Sequence, residues 1–530
     1  MTFKMNFKND FLEKELDKRM EYFQKYLNYS GLEPKAYQFE GVRWCIRNEI
    51  KGLKDGEDLE LGNYRGGGFI ADEMGLGKTI LMIGTFLSHF LPKTLIVVPL
   101  VLLDQWYQQI YKTTGHKAII FHGQKRWDYN FDEVFKSKGC LIVITTYDMI
   151  ITENSKKNKK NKNLNPLNPV KNIIKKRESV IHETFWDRIV FDEGHHLRNK
   201  KTLKYFGALS LKANVRWIVS GTPIQNKKTD FYHLCAIIGL PSSFYTNKIN
   251  LPILVHDFIL KRTKKQIGMN IADLSNNVDF VDWKNKEEMI LSKNIHSYLS
   301  FSNTFLGQGL ARQSLARQSL GQSSMLFSGL NPLVLLMRAR QCCILPKLVF
   351  PSSENKKSIE VEVLGSSKMD SVLKKLVERK DNGNGKLVFC HFKDEMDELS
   401  KRLCDSGIDK ESIQIFDGRL RLNKRKEILS SGKFLVLILQ IQTGCEGLNL
   451  QEHYSEIYFV SPHWNPAVED QAVARCHRIG QKKQVEVFRF QMASFTKDLD
   501  LVLEEEQEFS LSLDNYASSV QEKKRLENIF

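Results

Sequence analysis

Apolar positions in the first 30 residues recur at helical spacing. Phe11, Leu12, Leu16, Met20, Phe23, Tyr26 and Leu27 share one face, with charged residues between them. This predicts an amphipathic helix that packs against the chain following it. The pattern then changes to short apolar runs alternating with helical spacings, as buried strands and their connecting helices would give. Gly66-Gly67-Gly68-Phe69-Ile70-Ala71 reads as a strand entering a glycine loop, and residues 79–90 as the helix that leaves it. Ile189-Val190-Phe191 reads as a buried strand ending in two acids. Beyond residue 366, Ser367-Lys368-Met369 leads into a helix with Val372, Leu373 and Leu376, and 386–390 and 434–439 read as strands of a second sheet. Two stretches break the pattern. Residues 151–180 are rich in Asn and Lys with too little apolar content for a packed core. Residues 295–330 hold the repeat Ala311-Arg312-Gln313-Ser314-Leu315 and Ala316-Arg317-Gln318-Ser319-Leu320 in a Ser/Gln/Gly-rich context, which reads as a flexible insertion.

The segment Asp72-Glu73-Met74-Gly75-Leu76-Gly77-Lys78-Thr79 carries the first chemistry. Gly75 and Gly77 have no Cβ, so backbone N–H groups can curl around the phosphates of a nucleotide. Lys78 adds a point charge and Thr79 a hydroxyl for Mg²⁺. Asp72 stands where the simplest phosphate loop has Gly. A flexible glycine turn is the alternative, and the strand before the loop and the helix after it argue for the phosphate loop. The second motif is Asp192-Glu193-Gly194-His195, placed at a strand end, where open α/β sheets put their chemistry. Asp192 would hold Mg²⁺ directly or through water, and Glu193 would orient and deprotonate the attacking water. Alone this motif reads as a solvated loop. Downstream of a phosphate loop and upstream of Ser220-Gly221-Thr222-Pro223-Ile224-Gln225-Asn226, it reads as part of a nucleotide-hydrolysing site.

This ordered set resembles the Swi/Snf-type ATPases, the branch of the second helicase superfamily that moves on double-stranded DNA, over roughly residues 32–500. Leu32, Tyr37, Gln38 and Trp44 are similar to the family's adenine-recognising segment, which implies that Gln38 contacts the base. Leu95-Ile96-Val97-Val98-Pro99 with Gln105-Trp106, and Ile144-Thr145-Thr146-Tyr147, resemble two first-lobe motifs that hold one DNA strand by its backbone. The segments 258–264 and Arg340-Gln341-Cys342-Cys343 resemble two further family motifs. Most specific is Trp464-Asn465-Pro466 followed by Glu469, Gln471 and Arg475-Cys476-His477-Arg478-Ile479-Gly480-Gln481. The resemblance implies that Arg475 and Arg478 cross a cleft to the γ-phosphate, that Gln471 belongs to the nucleotide site, and that Thr443, Gly444 and Trp464 lie with Pro99, Gln105, Trp106 and Thr146 on the DNA side. Three departures stand out: Ser461 and Ala474 replace two usual Asp residues, and Thr443-Gly444-Cys445-Glu446-Gly447-Leu448-Asn449-Leu450 differs from the usual Ala-Gly-Gly-X-Gly-Leu-Asn-Leu. None removes a group assigned to metal, water or phosphate. Asp-Glu-Gly-His, Ser-Gly-Thr-Pro-Ile-Gln-Asn and Arg-Gln-Cys-Cys together lean toward the transcription-termination-factor and lodestar side of the family.

The implied fold is α/β, with two RecA-like parallel-sheet lobes, helical insertions and flanking helices. The expected parts are a helical segment 1–31, a first lobe 32–245 containing the insertion 151–180, an inter-lobe helical and flexible insertion 246–365, a second lobe 366–500 and a helical tail 501–530. ATP and Mg²⁺ are the implied cofactors and double-stranded DNA the implied partner, with DNA-bound proteins such as polymerase or nucleosomes as what the motor displaces. The alternatives are a helicase that separates RNA or DNA strands and a nucleic-acid scaffold without turnover. Trp464-Asn465-Pro466 speaks against RNA, and the presence of Lys78, Glu193 and both arginines speaks against a scaffold.

Charge agrees with a polyanionic partner. The 530 residues carry a net +16 and the pI is about 9.2. Nine Lys or Arg against two Glu in 151–180 supply +7 of this, leaving +9 for the rest, so the run is either a solvated loop or a nonspecific phosphate tether. No apolar run approaches the roughly 18 residues that span a bilayer, and Lys4, Lys8 and nearby acids replace a secretory signal. The reading is intracellular: nuclear in a cell, or viral factory or virion for a large DNA virus. Nine cysteines without paired C-x-x-C spacing fit buried thiols in a reducing compartment, not a zinc or RING module.

Overall fold

The computed structural model describes residues 2–54, 64–124, 126, 129–151, 180–221, 228–269, 271–304, 330–349, 366–420, 424, 425, 427, 428, 433–444 and 448–495. The Lys/Asn-rich run 152–179, residues 222–226 and 445–447, the five-residue repeat and the tail 501–530 lie outside them. The chain divides into two compact units, Met1–Asn270 and Ile271–Phe530.

In the first unit β1 (Gly67–Ile70), β2 (Lys93–Val98), β3 (Ile119–Phe121), β4 (Leu141–Thr146), β5 (Phe185–Asp192), β6 (Lys212–Val219) and β7 (Ile259–Leu260) form one sheet. Its order is β3-β4-β2-β5-β6-β1-β7, with every pair parallel. Leu95 to Val98 and Ile189 to Phe191 are fully buried, because a parallel sheet is covered on both faces. That is why these strands read as unbroken apolar runs. The N-terminal helix α1 (Thr2–Ser30) packs Leu16, Phe23 and Leu27 against α2 (Ala36–Lys54) and α3 (Lys78–Ser88). At Gly84 of α3 a Cβ would stand 2.4 Å from the Phe23 ring, so glycine sets how closely the helices approach.

A charged network lies inside this unit. Glu49 of α2 is fully buried and accepts two 2.6 Å bonds from the Arg188 guanidinium of β5. His89 meets the same carboxylate at 2.6 Å, and the Trp217 indole N–H donates to it at 2.8 Å. Burial pushes the Glu49 carboxyl up, but Arg188 and His89 outweigh it and hold the group down at about 2. Removing one partner strands the other charge. Glu49→Gln is therefore expected to cost about 3–5 kcal/mol of unfolding free energy, measured by chemical denaturation. The folded value lies below the ordinary 4.5, so this stabilisation is present above about pH 4.5 and is lost as pH falls toward 2. The Glu49→Gln chain should lack that part of the acid-induced decline.

The second unit holds β8 (Leu274–Val281), β9 (Gly385–Cys390), β10 (Ile413–Phe416), β11 (Val436–Gln440), β12 (Tyr454–Phe459) and β13 (Val485–Met492). Their order is β10-β11-β9-β12-β13-β8, again all parallel. The helix Ser367–Glu378 starts where the Ser366 hydroxyl accepts the Met369 N–H, and it buries Val372 and Leu376.

The segment 246–365, read from sequence as one inter-lobe insertion, is shared between the units. Its β7 extends the first sheet beside β1, and its β8 forms an edge of the second beside β13. The helix Pro332–Ile344 sends Leu335, Ala339, Cys342 and Cys343 into the core of the second unit. β8 escaped the sequence reading for a physical reason. As an edge strand it alternates exposed and half-buried positions, and its Asn276, Asn277 and Asp279 dilute the apolar signal.

Candidate functional site

β1 leads straight into the glycine loop. Ser220 N–H donates to the Ile70 carbonyl at 3.0 Å and Ala71 N–H to the Leu260 carbonyl at 2.7 Å, so neighbouring strands fix where the loop begins. Gly75 (φ 90°) and Gly77 (φ 76°) take left-handed conformations that a side chain would strain, and Gly77 caps α3. A Cβ on Gly77 would stand 3.0 Å from the Gln38 amide nitrogen, which places the adenine-segment glutamine against the loop. Lys78 Nζ folds back on the loop and donates to the carbonyls of Asp72 (3.0 Å) and Glu73 (3.5 Å). Thr79 follows on the first turn of α3.

Asp72 and Glu73, grouped in the sequence with the nucleotide-binding residues, have other work here. Asp72 is fully buried, and both carboxylate oxygens accept from Arg262, at 3.0 and 2.5 Å. Arg262 also donates to the Tyr37 carbonyl and lies 5.4 Å from the centre of the Tyr37 ring. Glu73 accepts the Lys264 N–H at 2.8 Å and pairs with its ammonium at 3.4 Å. The side chains of Asp72 and Glu73 thus clamp the loop to the segment after β7, and the Glu73 N–H adds a 2.9 Å bond to the Arg262 carbonyl. Leu76 is fully buried, and its carbonyl accepts the Tyr37 hydroxyl at 3.3 Å. Trp44 turns away to pack on Trp217, ring centres 5.8 Å apart.

The carboxylate turn caps β5. Asp192 is 8% exposed; its Oδ1 accepts the Glu193 N–H at 3.0 Å and its Oδ2 the Trp106 indole N–H at 2.6 Å. The Tyr147 hydroxyl donates to the Asp192 carbonyl at 2.7 Å. Glu193 has φ 50° and ψ 48°, the one non-glycine among the described residues with positive φ, a conformation costing about 1–3 kcal/mol that persists where surroundings impose it. Its Oε2 lies 3.2 Å from His195 Nδ1. Burial raises the Asp192 carboxyl to about 6, the Glu193 charge adds to this, and Trp106 and Lys78 oppose it. Lys78 and Asp192 therefore feel each other's charge, and a Cβ on Gly221 would stand 3.5 Å from Lys78 Nζ. Loop, carboxylate turn and Ser220-Gly221 converge.

That donor set fits Mg²⁺. Among the described residues no three His, Cys, Asp or Glu gather as a metal cage. Mg²⁺ in nucleotide sites leans on one or two carboxylates, waters and substrate phosphates. A buried carboxylate pressed by a neighbouring acid is also one that a divalent cation relieves.

Burial redraws the expected DNA contacts of the first unit. Trp106 is 1% exposed and bonded to Asp192, so its side chain serves the carboxylate turn and cannot lie on a nucleic-acid backbone. Thr146 is buried with its hydroxyl 3.3 Å from His122 Nδ1, Pro99 is buried, and Gln105 is half-buried.

In the second unit the Asn465 side chain accepts the Ala467 N–H at 3.1 Å, and Pro466 opens the helix Pro466–Val473, which explains Asn-Pro at that position. Glu469, fully buried, accepts from the His463 N–H (2.7 Å) and Arg489 of β13 (2.9 Å), tying the helix to the sheet. Gln471 is buried, and Trp464 packs half-buried on the core. Thr443 and Gly444 close the short helix Ile441–Gly444 after β11. Arg475 is 8% exposed, and Arg478 donates to Asn449 Oδ1. Burial and then the Arg475 charge push Arg478 down to about 10. Two guanidiniums held together in this way favour an anion beside them.

The chain matches an SNF2-related domain over residues 37–348 and a helicase conserved C-terminal domain over 367–480. It belongs to the SNF2-related family. This SNF2-family chain is 26% identical over 518 residues to the "Probable global transactivator" of Orgyia pseudotsugata multicapsid polyhedrosis virus, covering 92% of this chain and 89% of that protein. It is 27% identical over 516 residues to the ATP-dependent DNA helicase DDM1 of Arabidopsis thaliana (88% and 59%). It is 26% identical over 524 residues to chromodomain-helicase-DNA-binding protein 7 of Homo sapiens (89% and 15%). It thus spans most of the viral protein but about three fifths and one seventh of the other two. A solved structure, the Sulfolobus solfataricus SWI2/SNF2 ATPase core in complex with dsDNA, is 22% identical, covering 87% of this chain and 88% of that one at a TM-score of 0.36. As an SNF2-family member the chain is a helicase-like, DNA-dependent ATPase. Among the described residues no helix is long and apolar enough to cross a membrane.

Sequence reasoning missed the Arg262 clamp and the double hold on Asp192. The segment resemblance at 258–264 pointed to Arg262 but not to its partner, 190 residues away.

Proposed function

We propose that the chain is an ATP-dependent translocase on double-stranded DNA, coupling hydrolysis to movement along the duplex and to displacement of DNA-bound proteins. The convergence of Lys78, Asp192 and the strained Glu193 at the strand ends of one sheet carries this reading. It is supported by the family membership, by relatives named as DNA helicases and by the net charge of +16.

The loop N–H groups and Lys78 hold the ATP phosphates, and Gln38 reads the base. Thr79 and Asp192 are the residues that would hold Mg²⁺, which would offset the negative charge of the phosphates there. Glu193 orients the attacking water and takes its proton. Arg475 and Arg478 supply positive charge where negative charge develops on the γ-phosphate, and Gln471 belongs with them. Pro99, Gln105 and Thr146 lie in segments that hold the duplex largely through backbone phosphates, with Thr443, Gly444 and Trp464 as their second-unit counterparts. Such contacts make binding sequence-independent and steeply salt-sensitive.

Displacement of a triplex-forming oligonucleotide from duplex DNA tests the movement. The expected result is ATP-dependent release without separation of the duplex strands. Release that is independent of ATP, or strand separation in its place, contradicts the proposal.

A further inference from the structure

Trp106 and Tyr147 come from the two first-unit segments that resemble strand-holding motifs, yet neither side chain faces solvent. Each makes a hydrogen bond to the same residue. The Trp106 indole N–H meets the carboxylate of Asp192 at 2.6 Å, and the Tyr147 hydroxyl meets its carbonyl at 2.7 Å. The Asp192 carbonyl belongs to the peptide that leads into Glu193, whose φ of 50° the surroundings must impose. Tyr147 reaches Glu193 by a second route: its ring lies 5.1 Å from that of His196, which stacks at 4.7 Å on His195, whose Nδ1 is 3.2 Å from Glu193 Oε2. The carboxylate turn is thus held from α4 (Leu103–Thr114) on one side and from the end of β4 on the other.

We propose that Trp106 and Tyr147 are positioning residues that link the strand-holding segments to the carboxylate turn, so that a duplex gripped by those segments sets the aim of Asp192 and Glu193. This rests on the translocase reading. Trp106 is next to half-buried Gln105, and Tyr147 directly follows Thr146. A close-packed indole at 1% exposure has no room to move independently of its partner, so a displacement of α4 is passed to the Asp192 carboxylate. The outer partners of metal-holding carboxylates tune affinity and activity in this way, and losing one typically costs about 10–100-fold.

Trp106→Phe and Tyr147→Phe test the link: each deletes one donor, Tyr147→Phe with its ring unchanged and Trp106→Phe with the indole reduced to a smaller phenyl, whose packing cost the thermal stability reads. The readouts are kcat and KM for ATP with and without duplex DNA, duplex affinity, thermal stability, and the Mg²⁺ concentration that half-saturates binding of a fluorescent ATP analogue. Each variant should lose about tenfold or more of the duplex stimulation in kcat, with KM and duplex affinity close to wild type. Trp106→Phe alone should also raise the Mg²⁺ requirement for analogue binding. Wild-type stimulation and an unchanged Mg²⁺ requirement in a folded Trp106→Phe chain would overturn the proposal and leave both residues as core packing. If Trp106→Phe does not fold, unchanged stimulation in Tyr147→Phe overturns it. Absence of duplex stimulation in the wild type would instead defeat the translocase reading, and the Mg²⁺ titration would still judge the hold of Trp106 on Asp192.

Discussion

Glu193→Gln is expected to bind ATP with near wild-type affinity and to hydrolyse it about 10²–10⁴-fold more slowly. Glutamine keeps the size and hydrogen-bonding reach of the side chain, so the left-handed turn at φ 50° and the bond from its N–H to Asp192 survive. What it removes is the capacity to take a proton from water. Fluorescent ATP-analogue binding and steady-state hydrolysis, measured on the same preparation, separate the two effects. Loss of binding would show that Glu193 holds the nucleotide, and full turnover would remove it from the reaction.

Arg478→Ala should cost still more, about 10³–10⁵-fold in turnover, the range seen when an arginine that meets transition-state charge is removed. Arg478 is held at about 10 by burial and by Arg475, so the pair carries an unfavourable like-charge contact until an anion offsets it. The gain is greatest where phosphate charge is greatest, in the transition state, so ATP affinity should change little while kcat collapses. Single-turnover hydrolysis at saturating ATP reads this directly. A rise in KM at unchanged kcat would mean that Arg478 binds ground-state ATP and takes no further part.

The sequence made legible what local pattern encodes. β5 and β9 were visible because strands buried on both faces become unbroken apolar runs, and the loop was visible because left-handed positions at Gly75 and Gly77 demand glycine. Contacts between distant segments were not visible. Nothing in the spacing pairs Asp72 with Arg262 across 190 residues or Trp106 with Asp192 across 86, and both bonds change what their residues do. Asp72 becomes a clamp for the loop and Trp106 a support for the carboxylate. Family likeness names a segment, and burial decides which way each side chain in it faces. β8 was missed for the opposite reason, being an edge strand too polar to stand out.

The steady-state ATPase rate of the purified chain, alone and with duplex DNA, single-stranded DNA or duplex RNA at low and moderate salt, tests the central claim most directly. The account predicts strong stimulation by duplex DNA that fades as salt rises, with little from duplex RNA. A preference for RNA, or hydrolysis indifferent to every nucleic acid, would contradict it.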